Sequence, residues 1–407
     1  MINCDYLIIG GGVYGCALAW ELATSGADVV LLERSKIASG SSGGSGARGV
    51  RADLRDLREL AIARRSQELW PTLDERLGGD TGYRRIGGLR LVEKEYVGGS
   101  GGRVSLKAHA WMQNKAGIPT TILDRTDLLE LEPGISDIVT HALYVPSDGV
   151  APHYQTTVEL AAAARRAGAV LLEDTPALSL SWFGSRVKSV ETPAESYRPR
   201  KSVIITANAG GASLLGNADP VPGWSVVPQA TFVKPDRAPT IQHLVNHESR
   251  PLSLKAGPGD TVQISGGQRG RWNPNTGLVE VNESVIPAAL ADAAAVYPEL
   301  LNATILSSEA GGPEYCSPDG IPVIDSVPGV ENVYIASHWT AHGFALFPAV
   351  AEALRLWLLT GAKPEILEPF AVSRFSGMPS RSEQDSRASP TMDAGHETRS
   401  RMGRTES

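Results

Sequence analysis

A chain of 407 residues, 42% of them hydrophobic, is long enough for a large globular core and, at roughly 100–200 residues per domain, for two or three domains. Its formal net charge of -7 repels phosphate backbones and anionic membranes, which argues against a nucleic-acid partner for the six arginines packed between residues 47 and 65. Three cysteines, Cys4, Cys16 and Cys316, are too few and too scattered for a disulfide framework or a zinc site, so no metal is expected.

No apolar run approaches the ~20 residues of a membrane span, and the N-terminus enters a strand directly, without a charged leader. Both features point to the cytoplasm and to no membrane span. Residues 5–33, DYLIIGGGVYGCALAWELATSGADVVLLE, read as a strand, a glycine turn, a helix and a second strand ending in an acid. The spacing is Gly10-x-Gly12-x-x-Gly15. The first glycine allows a tight turn, the second lets backbone N–H groups approach a pyrophosphate, and the third lets helix pack closely on strand. Glu33 ends the second strand, where a carboxylate can accept both hydroxyls of an adenosine ribose and would repel a 2′-phosphate. The motif alone does not separate FAD from NAD.

From Arg55 the arginine-rich stretch has the pattern of an amphipathic helix. Leu54, Leu57, Leu60 and Ala61 face inward, and Arg55, Arg58, Arg64 and Arg65 form a solvated face with Asp and Glu at helical spacing. IGGLRLVE (86–93) begins a region of different character, and VGGSGGR (97–103) reads as a flexible tip. AVLLE (169–173) and SVIITANAGG (202–211) read as buried strands of the nucleotide-binding sheet. PLSLKAGPGDTVQISGG (251–267) carries a hairpin signal in GPGD. NVYIASH (332–338) is another buried strand, followed by a long apolar helix that stops at Gly361 with Pro364 beyond. The expected fold is α/β: a discontinuous Rossmann-like dinucleotide domain (1–80, 145–220 and 305–373) with an inserted antiparallel-sheet substrate domain (81–144 and 221–304). The polar stretch 374–407 reads as a disordered tail.

Four stretches together resemble the FAD-dependent D-amino acid oxidase superfamily, and within it the sarcosine oxidase and glycine oxidase branch. They are GGGVYG with Glu33, SGSSGGSGARGVR (39–51), YCSPDGIPVID (315–325) and HWTAHGFALFPAV (338–350), in the family's order. The resemblance spans roughly residues 3–372 and favours FAD over NAD, because the family's FAD domain is interrupted in this way. It implies cofactor contacts from Gly10, Gly12, Val13, Tyr14, Gly15, Glu33 and Arg34 at the nucleotide end. It adds Ser41, Ser42, Arg48, Ala207, Gly320 and Ile321 further along. Ala341, His342, Gly343 and Phe344 are implied at the turn before the last helix, whose N-terminal dipole would face the flavin.

The resemblance also assigns the R-x-x-R pair: Arg48 near the isoalloxazine and Arg51 on a substrate carboxylate, with His342 at the flavin edge. His342 and His338 can equally be packed histidines. A guanidinium fork on a carboxylate contributes ~1.5–3 kcal/mol. Ala345 stands where monomeric sarcosine oxidases carry a lysine, and Glu314 is nearest to an arginine of glycine oxidases. Arg51 then works alone or with Arg269, Arg271 or Lys255, or the substrate is no simple amino acid; Glu314 would suit an amine. Cys316 is expected to be a buried, unmodified thiol, and Lys255 is the candidate for a lysine that helps oxygen react.

The activity implied is oxidation of the C–N bond of a small amine or amino acid of the sarcosine, glycine, proline or D-amino acid type, by hydride transfer to flavin N5 and imine hydrolysis. Electrons would pass to oxygen or to an electron-transfer partner. The alternatives are a flavin dehydrogenase of a 2-hydroxy acid or similar C–O substrate, and an FAD-binding subunit of a heteromeric complex.

Overall fold

The computed structural model describes residues 1–42, 44–99, 104–216, 220–273 and 275–376. Residues 100–103 of the expected flexible tip and 377–407 of the expected tail lie outside these. The tail boundary is nevertheless misplaced. Arg374 and Phe375 belong to a 3-10 helix, Val372–Phe375, in which Phe375 is buried and Arg374 is bonded to both carboxylate oxygens of Asp319.

The first sheet grows around the strand Ile2–Ile9. Its parallel partners are Val29–Leu32 on one side and Ser196–Ile205 on the other, with Val170–Leu172 and Val333–Ser337 beyond them. Tyr6, Leu7, Ile8 and Ile9 are all buried, the continuous apolar run that a strand covered on both faces requires. An antiparallel strand, Val323–Ser326, closes one edge, and the hairpin Ser179–Phe183/Arg186–Glu191 extends from Ser196–Ile205. The helix Val13–Thr24 is buried almost all round, between the helices His153–Arg166 and Phe347–Thr360.

The second sheet is antiparallel except for one parallel pair, Leu244–His247 beside Gly88–Glu93. The GPGD hairpin forms as read, pairing Ser253–Ala256 with Val262–Ser265. The strand Thr304–Ala310, expected largely with the first sheet, instead lies at an edge of the second. It pairs there with Gln229–Lys234. Ala47–Val50 pairs with Gly149–Pro152, so the segment carrying Arg48 has the regular geometry of a strand.

Two expectations about helices need correction. Leu54 has φ of 57°, and a capping box between Asp56 and Glu59 starts the helical turn only at Leu57, ahead of the helix Leu60–Leu69. The inward face is therefore Leu60, Ile62, Ala63, Ser66 and Leu69, while Leu57 and Ala61 are exposed. The second concerns the C-terminal helix. Gly343–Thr360 is long and apolar enough to cross a membrane by length and composition, contrary to the reading of the sequence, but it is 61% buried. It packs on Val13–Thr24 and Leu60–Leu69, with Glu352 bonded to Arg65 and Arg355 to Glu21, which is the setting of a core helix.

Candidate active site

At the glycine turn the structure gives physical reasons for each residue. Gly10 has φ of +113°, and a Cβ there would sit 2.9 Å from the Cα of Ala207. A Cβ on Gly15 would lie 1.9 Å from the Gly10 carbonyl oxygen, so helix and turn can approach only without one. Gly12 differs: a Cβ would meet nothing within 4 Å, and as N-cap it offers no side chain to the first-turn N–H groups. The open space beside Gly12 lies at the start of this helix next to half-buried Val13, which is where a pyrophosphate would fit. Glu33 accepts from the N–H of Gly11 (2.6 Å) and of Ser35 (2.9 Å), one per carboxylate oxygen, with lone pairs left for a ribose. Arg34 is exposed.

Tyr14 points inward. Its hydroxyl donates to the carbonyl of Gly343 and its ring stacks on Trp339, centroids 3.6 Å apart, so it joins the glycine motif to the turn before the last helix. In that turn His338, Thr340 and Ala341 have φ of 58°, 51° and 60°, left-handed conformations that cost non-glycine residues energy. Gly343 allows Trp339 to close over it, since a Cβ would lie 2.7 Å from the Trp339 Cβ. Phe344 packs on Trp70 and Phe347 as part of the core.

The serine/glycine loop meets the strand Glu314–Cys316. Ser41 accepts from the N–H of Gly312 (3.1 Å), and the Ser42 hydroxyl donates to Glu314. The other oxygen of Glu314 accepts from Asn208 at 3.2 Å. Burial pushes the Glu314 carboxyl up, opposed by these bonds, by the N–H of Ala341 and by the charge of Arg48. Arg48 itself donates to the carbonyls of Ser42 (2.8 Å), Gly44 and Ser45 (3.1 Å), so its guanidinium staples the loop. Burial brings it down to about 10. Gly320 and Ile321 lie in the following turn, where the Ile321 carbonyl accepts from Ser317 (2.6 Å) and Arg374 (3.0 Å).

Arg51 is held differently. One guanidinium nitrogen donates to the side-chain oxygen of Asn246, and among the described residues no carboxylate lies within ion-pair distance. Burial first, then the charge of Arg55, lowers it to about 10. Arg55 corrects the expectation of a solvated arginine: its side chain is 2% exposed and donates to the carbonyls of Arg51 and His342. Arg58, Arg64 and Arg65 do lie outward, paired with Asp56, Asp319, Glu68 and Glu352.

Lys255 is buried with Ser265 as hydrogen-bond partner, and burial together with the charges of Arg48 and Arg51 lowers it to about 7. His342 is pushed down to about 3 by burial and the positive charges of Arg55, Arg51 and Arg269, so it is neutral at pH 7. His338 falls to about 4, mainly by burial. Arg271 is exposed and bonded to Asn282, outside this cluster. Cys316 is a free, buried thiol, and no group of His, Cys, Asp and Glu among the described residues could hold a metal.

Residues 5–357 match the family model DAO, FAD dependent oxidoreductase. The chain belongs to this family. Mitochondrial sarcosine dehydrogenase of Homo sapiens is 25% identical over 389 residues, covering 92% of this chain and 41% of that protein. Glycine oxidase of Geobacillus kaustophilus is 25% identical over 387 residues, covering 92% and 97%. The solved L-proline dehydrogenase of P. horikoshii aligns with a TM-score of 0.82 at 26% identity, covering 92% of this chain and 98% of that one. The chain spans less than half the length of the sarcosine dehydrogenase it matches. The family is one of FAD-dependent oxidoreductases, and the open side of Gly12 and the Glu33 carboxylate fit that cofactor.

Three residues of the cluster carry weaker sequence signals. Asn246 and Asp148 are polar residues in apolar surroundings and nearly fully buried, which buried polar groups reach only with partners to satisfy them. Asp148 accepts from Ala52 N–H and Gln67, both at 2.7 Å, next to Arg51. Asn208, which opens the 3-10 helix Asn208–Gly210 after the strand Ser196–Ile205, is legible only once Glu314 is beside it.

Proposed function

We propose that this protein oxidises the C–N bond of a small amine that carries a carboxylate, with Arg51 as the carboxylate anchor. The observation that carries this reading is a half-buried guanidinium whose hydrogen-bond partner is an amide oxygen, which leaves donors free for a bidentate contact. Relatives named for sarcosine, glycine and proline favour an amino acid over a hydroxy acid.

FAD, when bound, supplies the two-electron oxidation. The chain's own contribution is orientation and electrostatics. Lys255 is a gauge of the local field: burial and two arginines bring its ammonium down to about 7. A substrate ammonium held near the same charges is pushed the same way, toward the neutral amine whose lone pair the oxidation needs. His342, neutral at pH 7, then acts as a hydrogen-bonding group without adding another charge. We place Arg48 and Glu314 at the loop that frames the cofactor, and assign the final electron acceptor to oxygen or to an electron-transfer partner.

The test is an anaerobic absorbance spectrum of the FAD-loaded protein before and after sarcosine, glycine, L-proline and D-amino acids, added singly. Bleaching of the flavin bands by one of them supports the reading. Bleaching by a 2-hydroxy acid and by none of the amines overturns it in favour of C–O oxidation.

A further inference from the structure

Arg51 and Arg90 share one patch but are treated oppositely. Asn246 stands beside Arg90 in the parallel pair Leu244–His247/Gly88–Glu93. Arg90 is neutralised by two carboxylates, Asp53 and Glu248, each at 3.1 Å. Asp53 is occupied further by the Gln113 amide at 2.6 Å, and Asp148 by Ala52 N–H and Gln67. Every carboxylate near Arg51 is thus bonded to another group, and the side chain that touches its guanidinium is the buried amide of Asn246. An amide oxygen takes one of five N–H donors and fixes the plane of the fork without cancelling its charge. An aspartate of the same shape would form a closed ion pair.

We propose that Asn246 is a specificity-determining residue: it aims Arg51 while leaving the positive charge available, so that the site selects ligands bearing a free carboxylate. The inference rests on the reading of Arg51 as anchor. A neutral partner separates two jobs that one acidic partner would set against each other. Orientation comes from the protein, and charge compensation is left to the ligand.

The experiment uses FAD-loaded protein with acetate as probe and acetamide as its neutral counterpart, following the flavin absorbance change on titration. FAD content serves as the control for folding. Asn246→Asp is expected to weaken acetate by about tenfold or more, the loss of one charge-assisted contact, while acetamide is unchanged. Asn246→Leu, which removes the aim but adds no charge, is expected to weaken acetate by about threefold, clearly less than Asn246→Asp. If Asn246 only supports the fold, the order reverses, because Asp preserves the hydrogen bond and Leu does not; that order overturns the proposal, as does loss of acetate by Leu and Asp alike. Arg51→Gln separates the two claims. Acetate lost in Arg51→Gln and kept in Asn246→Asp overturns the role of Asn246 alone; acetate that wild type fails to bind, or that Arg51→Gln binds as well as wild type, overturns the anchor itself.

Discussion

The guanidinium of Arg55 donates to the carbonyl of His342 at 2.9 Å, across 287 positions of sequence. Two further N–H groups of Arg55 reach the carbonyl of Arg51, at 3.2 and 3.1 Å. One buried side chain therefore fixes the distance between the candidate carboxylate anchor and the turn that leads into the last helix. Arg55→Ala should leave the Glu59 carboxylate buried without its partner at 3.6 Å and release both carbonyls. Loss of a buried pair costs about 3–5 kcal/mol, so thermal unfolding is expected at a clearly lower temperature. Arg55→Lys keeps charge but not the fork, and should raise KM for the carboxylate substrate more than it lowers kcat.

His342 and His338 are not the groups of this site that titrate near neutrality. His342 and His338 fall to about 3 and 4, whereas Lys255 lies at about 7. An activity step near pH 7 that Lys255 carries should survive His342→Asn and disappear in Lys255→Met, whereas one that Asp148 carries should survive both and disappear in Asp148→Asn. Stability follows with a defined sign. Between about 7 and the ordinary lysine value of 10.5 the unfolded chain holds a proton that the fold does not, so stability contributed at this site rises with pH across that window. Lys255→Met should accordingly raise the unfolding temperature more at pH 6 than at pH 10.

Asp148 supplies the opposite slope. Burial raises its carboxyl from 3.8 to about 7, against the bonds from Ala52 and Gln67. Between those values the fold binds the extra proton, so stability falls as pH rises from about 4 to 7. Asp148→Asn keeps an acceptor for Ala52 N–H and removes the titration. Its unfolding temperature relative to wild type should be higher at pH 8 than at pH 5, and equal offsets at both values would contradict this.

What could be read in the chain beforehand was what depends on local backbone. Gly10 and Gly15 are demanded by contacts within a few residues or by one neighbouring strand, and the hairpin of residues 253–265 is announced by its own turn. Arg58, Arg64 and Arg65 each have one acidic partner within four residues, Asp56 or Glu68, and that local pairing is what the charge pattern shows. Arg55 has the same chemistry but owes its burial to His342, far along the chain, and no periodicity encodes that. Leu57 and Ala61 were legible in principle: Asp56-x-x-Glu59 is a capping-box signature, and it sets the helix start that a hydrophobic pattern alone places too early. Asn246 and Glu314 carry only the weaker signal of a polar residue in an apolar strand, whose meaning comes from Arg51 and Ser42 on other elements.

Glu33→Ala should weaken FAD retention without unfolding the protein. The carboxylate is partly exposed, and its loss leaves the exposed Ser35 N–H to water and costs one hydrogen bond at buried Gly11. The measurement is flavin content after extended dialysis; full retention would count against a ribose contact.

Gly15→Ala tests the other half of the motif, through packing. The added methyl would stand 1.9 Å from the Gly10 carbonyl oxygen and 2.9 Å from the Thr206 hydroxyl. The first of these is backbone, so no side chain can rotate away and the helix Val13–Thr24 must lift from the turn. Overpacking of this kind costs about 1–3 kcal/mol or more. The lift also moves the first turn of this helix, next to the open side of Gly12, and it strains the Tyr14 contact to Gly343 and Trp339. Both lower stability and lower FAD affinity are therefore expected from one methyl group, the first read by thermal unfolding of the apoprotein and the second by FAD titration. A variant that keeps wild-type values in both would mean that the close approach at Gly15 is not what builds the nucleotide site.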